Sequence, residues 1–146
     1  MKEVAVGILL KDGLILVCQR KRGASYALKW EFPGGKIELG ETPETTLERE
    51  LREELLVAPL LLRPLYTQEW TYPEGSTDPD HDGSFRVFYY IVPAFRGEPS
   101  NRVFEQIRWV SPPALLDMDI LEGNRDAITY LIDNAHAEQP DPGIHP

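Results

Sequence analysis

One cysteine, Cys18, and three histidines stand in a chain of 146 residues. A lone cysteine excludes an intrachain disulfide, which fits a reducing cytoplasm, the location expected for this chain. With no histidine near it in sequence, Cys18 reads as a small core hydrophobe rather than a nucleophile. Basic residues are also scarce: 15 Lys and Arg face 24 Asp and Glu, a net charge of −9. Proteins hold long nucleic acid by neutralising its phosphates with Lys and Arg, so this balance argues against such a partner. A small anionic substrate stays compatible if a metal bridges the negative charges. No apolar run approaches the length that spans a bilayer. Lys2 and Glu3 lead straight into a strand pattern, not a signal peptide. Repeats and low-complexity segments are missing. The length suits one domain with a real core, expected over residues 1–137, and residues 138–146, with three prolines and almost nothing apolar, read as a disordered tail.

Alternating strand and helix patterns fill the rest. Residues 4–10 and 14–18 are apolar and β-branched enough for strands, and Lys11-Asp12-Gly13 between them makes a hairpin turn. Residues 60–70 and 85–95 read as longer strands across a loop rich in Gly, Pro and Asp. In that loop Asp78, Asp80, Asp82 and Gly83 imitate the start of a calcium-binding loop, but the twelfth position is Tyr89 rather than Glu. A solvated hairpin tip that includes His81 is expected instead. Residues 103–110 form another strand pattern, which Ser111-Pro112-Pro113 breaks. A second helix is expected from Glu122 to about Asn134 with Ala127, Ile128, Leu131 and Ile132 inward. The order ββ–α–βββ–α predicts an α/β (α+β) sandwich with a mixed sheet between helices.

Chemistry concentrates in residues 30–57, WEFPGGKIELGETPETTLERELREELLV. Thr42 is a good N-cap, Pro43 suits the first helical position, and Glu44 suits the positive end of the helix dipole. Leu47, Leu51 and Leu55 make one apolar stripe. Glu50, Glu53 and Glu54 gather along an adjoining ridge, and Arg49 sits four before Glu53. Such a ridge is either a solvated face laced with ion pairs or a cluster of donors for a hard cation. Gly34-Gly35 favours the second reading, because glycines ahead of a helix let a backbone carbonyl approach whatever the carboxylates hold.

The spacing Gly35, five residues, Glu41, seven residues, Arg49-Glu50-Leu51, one residue, Glu53-Glu54 resembles the Nudix box, G-x5-E-x7-R-E-U-x-E-E-x-G-U with U aliphatic. Leu56 stands where that box has its last glycine, so the turn ending the helix is expected to be built differently. Trp30 to Lys36 is similar to the approach segment of MutT-type Nudix enzymes, and the likeness covers roughly residues 3–135. What the resemblance implies is a Nudix-type α/β/α sandwich. The implied activity is metal-dependent hydrolysis of a nucleoside triphosphate, 8-oxo-dGTP among them, to the monophosphate and pyrophosphate. It implies Mg²⁺, with Mn²⁺ in its place, held by Glu50, Glu53, Glu54 and the carbonyl of Gly35, with Arg49 orienting a carboxylate. Lys36 would meet a phosphate oxygen and Glu41 would brace the loop.

The resemblance also implies a base pocket of Arg20, Phe32 and Asn124. Arg20 otherwise belongs to a charged loop with Lys21 and Arg22, Phe32 to the core, and Asn124 to a helix cap. A further glutamate common in the family falls on Val103 here, while Glu105 lies nearby in another register. Either Glu105 serves in catalysis or Glu53 activates the water without it. Other readings are a Nudix hydrolase for CTP or dCTP, a dinucleoside polyphosphate or ADP-ribose, for which Tyr72-Pro73 is a weak marker, and a non-enzymatic nucleotide-binding module. The expected protein is a monomer or homodimer acting on a small nucleotide, with no membrane partner.

Overall fold

The computed structural model describes residues 1–72 and 83–134. Pro73, the loop aspartates, His81 and the expected tail over 138–146 lie outside the described residues. In chain order the elements are β1 (Lys2–Lys11), β2 (Leu14–Gln19), β3 (Trp30–Glu31), β4 (Gly34–Lys36), α1 (Pro43–Leu55), β5 (Ala58–Tyr72), β6 (Gly83–Arg96), β7 (Gln106–Val110) and α2 (Arg125–Asp133). Short 3-10 turns at Pro112–Asp117 and Glu122–Asn124 lead into α2.

β1 and β2 form a hairpin whose Asp12 and Gly13 both have positive φ, 54° and 78°, as a two-residue turn of the type favoured by right-twisted strands requires. The two strands pair only at Leu10–Ile15 and Lys11–Leu14, then part. Beyond that point β1 takes β4 on one edge, antiparallel at Val4 to Val6, and β6 on the other, parallel from Lys2 to Leu9. β2 takes β3 and β7, both antiparallel. The mixed sheet therefore forks, and the space in the fork is where the cavity lies.

Strand alternation divides the core into two faces. Ala5, Leu9, Leu16, Cys18, Tyr90 and Val92 meet Leu47, Leu51 and Leu55 of α1. Their neighbours Val6, Ile8, Ile15, Val17, Tyr89 and Ile91 meet Leu115, Ala127, Ile128 and Leu131 on the side of α2. The α/β/α layering follows, and Cys18 is fully buried as a core residue. α1 starts on the expected cap: Thr42 Oγ1 accepts from Thr45 N at 3.1 Å and Thr45 Oγ1 accepts from Thr42 N at 2.9 Å.

Several local expectations change. β3 and β4 are too short to show as strand periodicity, and Gly34-Gly35 reads as a turn until β1 pairs with it. β7 begins at Gln106 rather than 103, because Asn101 Oδ1 accepts from Val103 N and Phe104 N and folds that stretch into a loop. The second helix begins only at Arg125. The end of α1 is the clearest correction. Leu56 itself adopts the left-handed conformation, φ 59° and ψ 31°, and its N–H meets the carbonyls of Arg52 and Leu51. The glycine-type turn is kept, with a leucine held in it.

Candidate active site

Gly34 and Gly35 lie against β1, and this packing leaves no room for side chains. A Cβ on Gly34 would collide with the Ala5 carbonyl, and one on Gly35 would stand 2.6 and 2.7 Å from the Glu50 carboxylate oxygens. Glu50 of α1 is thus pressed against the β4 backbone. Glu54, one turn later, accepts from Gly34 N at 3.0 Å. These contacts tie the acidic ridge of α1 to the glycine strand.

Arg49 organises the ridge. Its Nε and Nη2 donate to the two carboxylate oxygens of Glu41 at 2.7 and 2.9 Å. Nη1 donates to Glu50 at 2.7 Å and lies 3.5 Å from Glu53. Nη2 also reaches the Lys36 carbonyl at 3.2 Å. A planar guanidinium suits this fork geometry. Glu41 further accepts from Glu38 N and Thr46 Oγ1, at 3.0 and 2.9 Å, and so anchors the loop before α1. The bond from Arg49 is the main reason its carboxyl falls to about 2.

The buried end of the ridge has the opposite electrostatics. Burial, then the charges of Glu50 and Glu31, push the Glu54 carboxyl up to about 9. Burial also raises Glu50, against the pull of Arg49. Crowded, desolvated carboxylates of this kind call for a cation, and an all-oxygen donor set suits a hard divalent one. Glu53, by contrast, is 56% exposed and turned toward Arg49. Among the described residues no group of three or more His, Cys, Asp or Glu stands close enough to hold a metal as the side chains lie.

From Glu54 a cavity of about 510 Å³ runs through the fork between β1 and β2. Val4, Val6, Phe32, Phe85 and Val87 give it apolar walls, with Lys36 and Gly35 at the acidic end and Asn124 beside Leu121. Of the base-pocket candidates, Arg20, Phe32 and Asn124 all line it. Arg20 is 7% exposed, donating from Nε to the Ser25 carbonyl at 2.7 Å and from Nη1 to Glu31 at 3.2 Å. It is thus a buried, paired group rather than part of an open charged loop. Phe32 is both core and wall. Asn124 occupies the cap position of α2 but makes no side-chain cap bond. Its Nδ2 donates instead to Tyr89 Oη at 2.9 Å.

Val103 lines the cavity and Glu105 does not: Glu105 is exposed, with its N–H bound to the Gln19 carbonyl at 2.9 Å. Phe104, buried between them, lines the cavity in its place. Sequence reasoning missed three wall or wall-supporting residues: Phe104, Glu31 and Tyr89. The period-two pattern of residues 85–91 does carry Tyr89 onto the α2 side with Phe85 and Val87. Glu31 became legible only through the pairing of Cys18 with it across β2 and β3.

A match to the NUDIX domain over residues 1–131 places the chain in the Nudix hydrolase family. Among similar proteins, the 8-oxo-dGTP diphosphatase of Haemophilus influenzae is 35% identical over 92% of this chain and 93% of its own. The CTP pyrophosphohydrolase of Escherichia coli K12 is 34% identical over 80% of each chain. The crystal structure of a MutT Nudix hydrolase from Burkholderia pseudomallei superposes with a TM-score of 0.73, at 26% identity, over 89% of this chain and 97% of that one. The family acts on small nucleotides and depends in general on a divalent metal. Among the described residues no helix is long and apolar enough to cross a membrane.

Proposed function

We propose that the protein hydrolyses nucleoside triphosphates, with 8-oxo-dGTP as its substrate, to the monophosphate and pyrophosphate, and so clears damaged nucleotides from the pool. One observation carries this reading: a single cavity joins the buried amide of Asn124 to the glycine strand and Glu54. A purine suits the apolar end and its phosphates the acidic end. The names of the H. influenzae relative and of a 32% identical one from E. coli, both 8-oxo-dGTP diphosphatases, support it.

Glu50, Glu53, Glu54 and the Gly35 carbonyl would hold Mg²⁺, or Mn²⁺ in its place. Such a cation supplies charge neutralisation for the triphosphate and a more acidic water. The protein's own groups do the positioning. Arg49 holds Glu50 in orientation, as a partner behind the ligands. Lys36 meets a phosphate oxygen at the cavity mouth. Glu53, on the same ridge of α1 as Glu50 and Glu54, would take the proton of the attacking water without Glu105. Catalysis rests on alignment and charge stabilisation.

A pyrophosphate-release screen with Mg²⁺ tests the reading across 8-oxo-dGTP, dGTP, CTP, dCTP, ADP-ribose and dinucleoside polyphosphates, with phosphatase-coupled phosphate release for the last two. A kcat/KM for 8-oxo-dGTP far above that for dGTP is expected. Preference for CTP would favour the second reading, which the similarity to the CTP pyrophosphohydrolase supports. In the same assay Glu53→Gln should lower kcat by roughly 10³ or more, as loss of a base and metal ligand does, with the thermal midpoint retained. A variant with wild-type kcat would sink the role of Glu53.

A further inference from the structure

The cavity wall opposes the charge of the molecule around it. The chain carries a net charge of −9, yet Lys2, Arg20, Lys21 and Lys36 line the cavity against two carboxylates, Glu31 and Glu54. Arg20 and Glu31 neutralise each other, with Nη1 donating at 3.2 Å. Three lysines around Glu54 are what is left. Lys2 begins β1 and Lys21 follows the end of β2, and the two strands pair only near their shared turn. These lysines therefore stand at the open end of the fork, one on each arm. Lys2 holds its Nζ 5.4 Å from the centre of the Phe85 ring, which is also part of the wall. Lys21 is exposed, and among the described residues its ammonium makes no hydrogen bond or ion pair. Its main chain is nonetheless fixed. Arg20 N donates to the Lys29 carbonyl at 2.9 Å, Leu28 N to the Arg20 carbonyl at 3.0 Å, and Ala24 N to the Lys21 carbonyl at 3.1 Å. Arg20 Nε closes the loop on the Ser25 carbonyl at 2.7 Å.

We propose that Lys21 is a substrate-binding residue that engages the phosphate tail of the nucleotide, with Lys2 adding to the same field from β1. This inference rests on the nucleotide reading given above. A polyanion approaching a chain of net charge −9 is repelled overall. A cleft lined by the opposite sign focuses the field and draws the anion in locally. A lysine ammonium is a compact charge on a flexible four-carbon stem, which lets it follow a phosphate oxygen. Because the Lys21 ammonium has no partner among the described residues, meeting a phosphate there breaks no ion pair. Arg20, one residue earlier, could do the same only by giving up Glu31. Lys21 meets the tail in the bound state and the transition state alike, so it acts on KM and not on kcat.

The test compares wild type with Lys21→Gln, Lys21→Arg and Arg22→Gln, each with a thermal melt. It reads steady-state hydrolysis of 8-oxo-dGTP and calorimetric binding of inorganic triphosphate, both with Mg²⁺. Arg22 is an exposed neighbour outside the cavity wall, so its variant removes the same charge without the contact. Lys21→Gln should raise KM about tenfold, the scale of one charge-assisted hydrogen bond, and leave kcat within about twofold. Its dissociation constant for inorganic triphosphate should rise by a similar factor, with the melting temperature unchanged. Lys21→Arg should keep the wild-type values, and Arg22→Gln should shift them by less than about twofold, since solvent and salt screen a charge that makes no contact. Equal losses in Lys21→Gln and Arg22→Gln would reduce the effect to net charge and overturn the contact. So would a Lys21→Gln variant with wild-type KM and triphosphate affinity. If Lys21→Gln alone loses affinity for inorganic triphosphate while wild type turns over only ADP-ribose, the contact stands and the triphosphate reading falls.

Discussion

At Arg49 one guanidinium holds together groups that would otherwise repel. It is bidentate to Glu41 and single-bonded to Glu50. The consequence for Glu41 has a definite sign. Its carboxyl lies at about 2, below the ordinary 4.5, chiefly through the bond from Arg49. A depressed carboxyl contributes stability that is fully present above the ordinary value and is lost as pH falls toward the folded one. Glu41→Gln should therefore lower the urea midpoint at pH 6 to 7, and the gap to wild type should close as pH falls from 4.5 to about 2. A gap that stays constant over this range would mean that Glu41 acts through packing and not through its charge. Such a hub was only half legible in sequence. The spacing from Arg49 to Glu53 suggested an i, i+4 pair, yet the bidentate pair is with Glu41, eight residues back and in a loop, where helical periodicity gives no guide.

At the scale of elements, periodicity predicted what periodicity governs. α1 and its cap, the turn at Asp12-Gly13 and the long strands β5 and β6 follow from residue spacing. β3 and β4 do not, being two and three residues long and existing only because β2 and β1 accept them as partners. The fork that makes the cavity comes from that unequal pairing, which no local pattern encodes. Leu56 shows the limit from the other side. Sequence suggested a different turn, but packing keeps the left-handed one and imposes it on a leucine. A left-handed non-glycine residue costs roughly 1–2 kcal/mol, against roughly 0.5–1 for the extra chain entropy that glycine loses on folding. Leu56 is half exposed, so its side chain gives up little burial. Leu56→Gly should thus stabilise the protein by about 0.5–1 kcal/mol, a rise in thermal midpoint of about 1–4 °C for a domain of this size. Destabilisation instead would show that the leucine side chain contributes more than its backbone strain costs.

For the whole molecule, the two ends of the cavity are bound to different layers. The acidic end hangs on α1 through Glu50 and Glu54, and the apolar end on β6 and the segment entering α2 through Tyr89 and Asn124. Both meet at the forked hairpin, so charge collected on one face of the sheet serves a pocket that opens toward the other. That placement has an energetic cost in the protein alone, because Glu54 is half-buried beside Glu50 and Glu31 with its carboxyl raised to about 9. A raised carboxyl favours folding below its ordinary value, and that contribution is lost as pH rises toward the folded one. Glu54→Gln removes the titration and keeps an oxygen for the Gly34 N–H. Without metal the variant should melt higher than wild type at pH 8, with the difference fading near pH 4. A ligand held at a hundred times its dissociation constant adds about 2.7 kcal/mol to the stability of the state that binds it. Millimolar Mg²⁺ should accordingly raise the midpoint of wild type at pH 8 by several degrees and that of Glu54→Gln by much less. Equal shifts in the two proteins would remove Glu54 from the cation site, and a wild type that melts no lower than Glu54→Gln in chelator would remove the strain assigned to its burial.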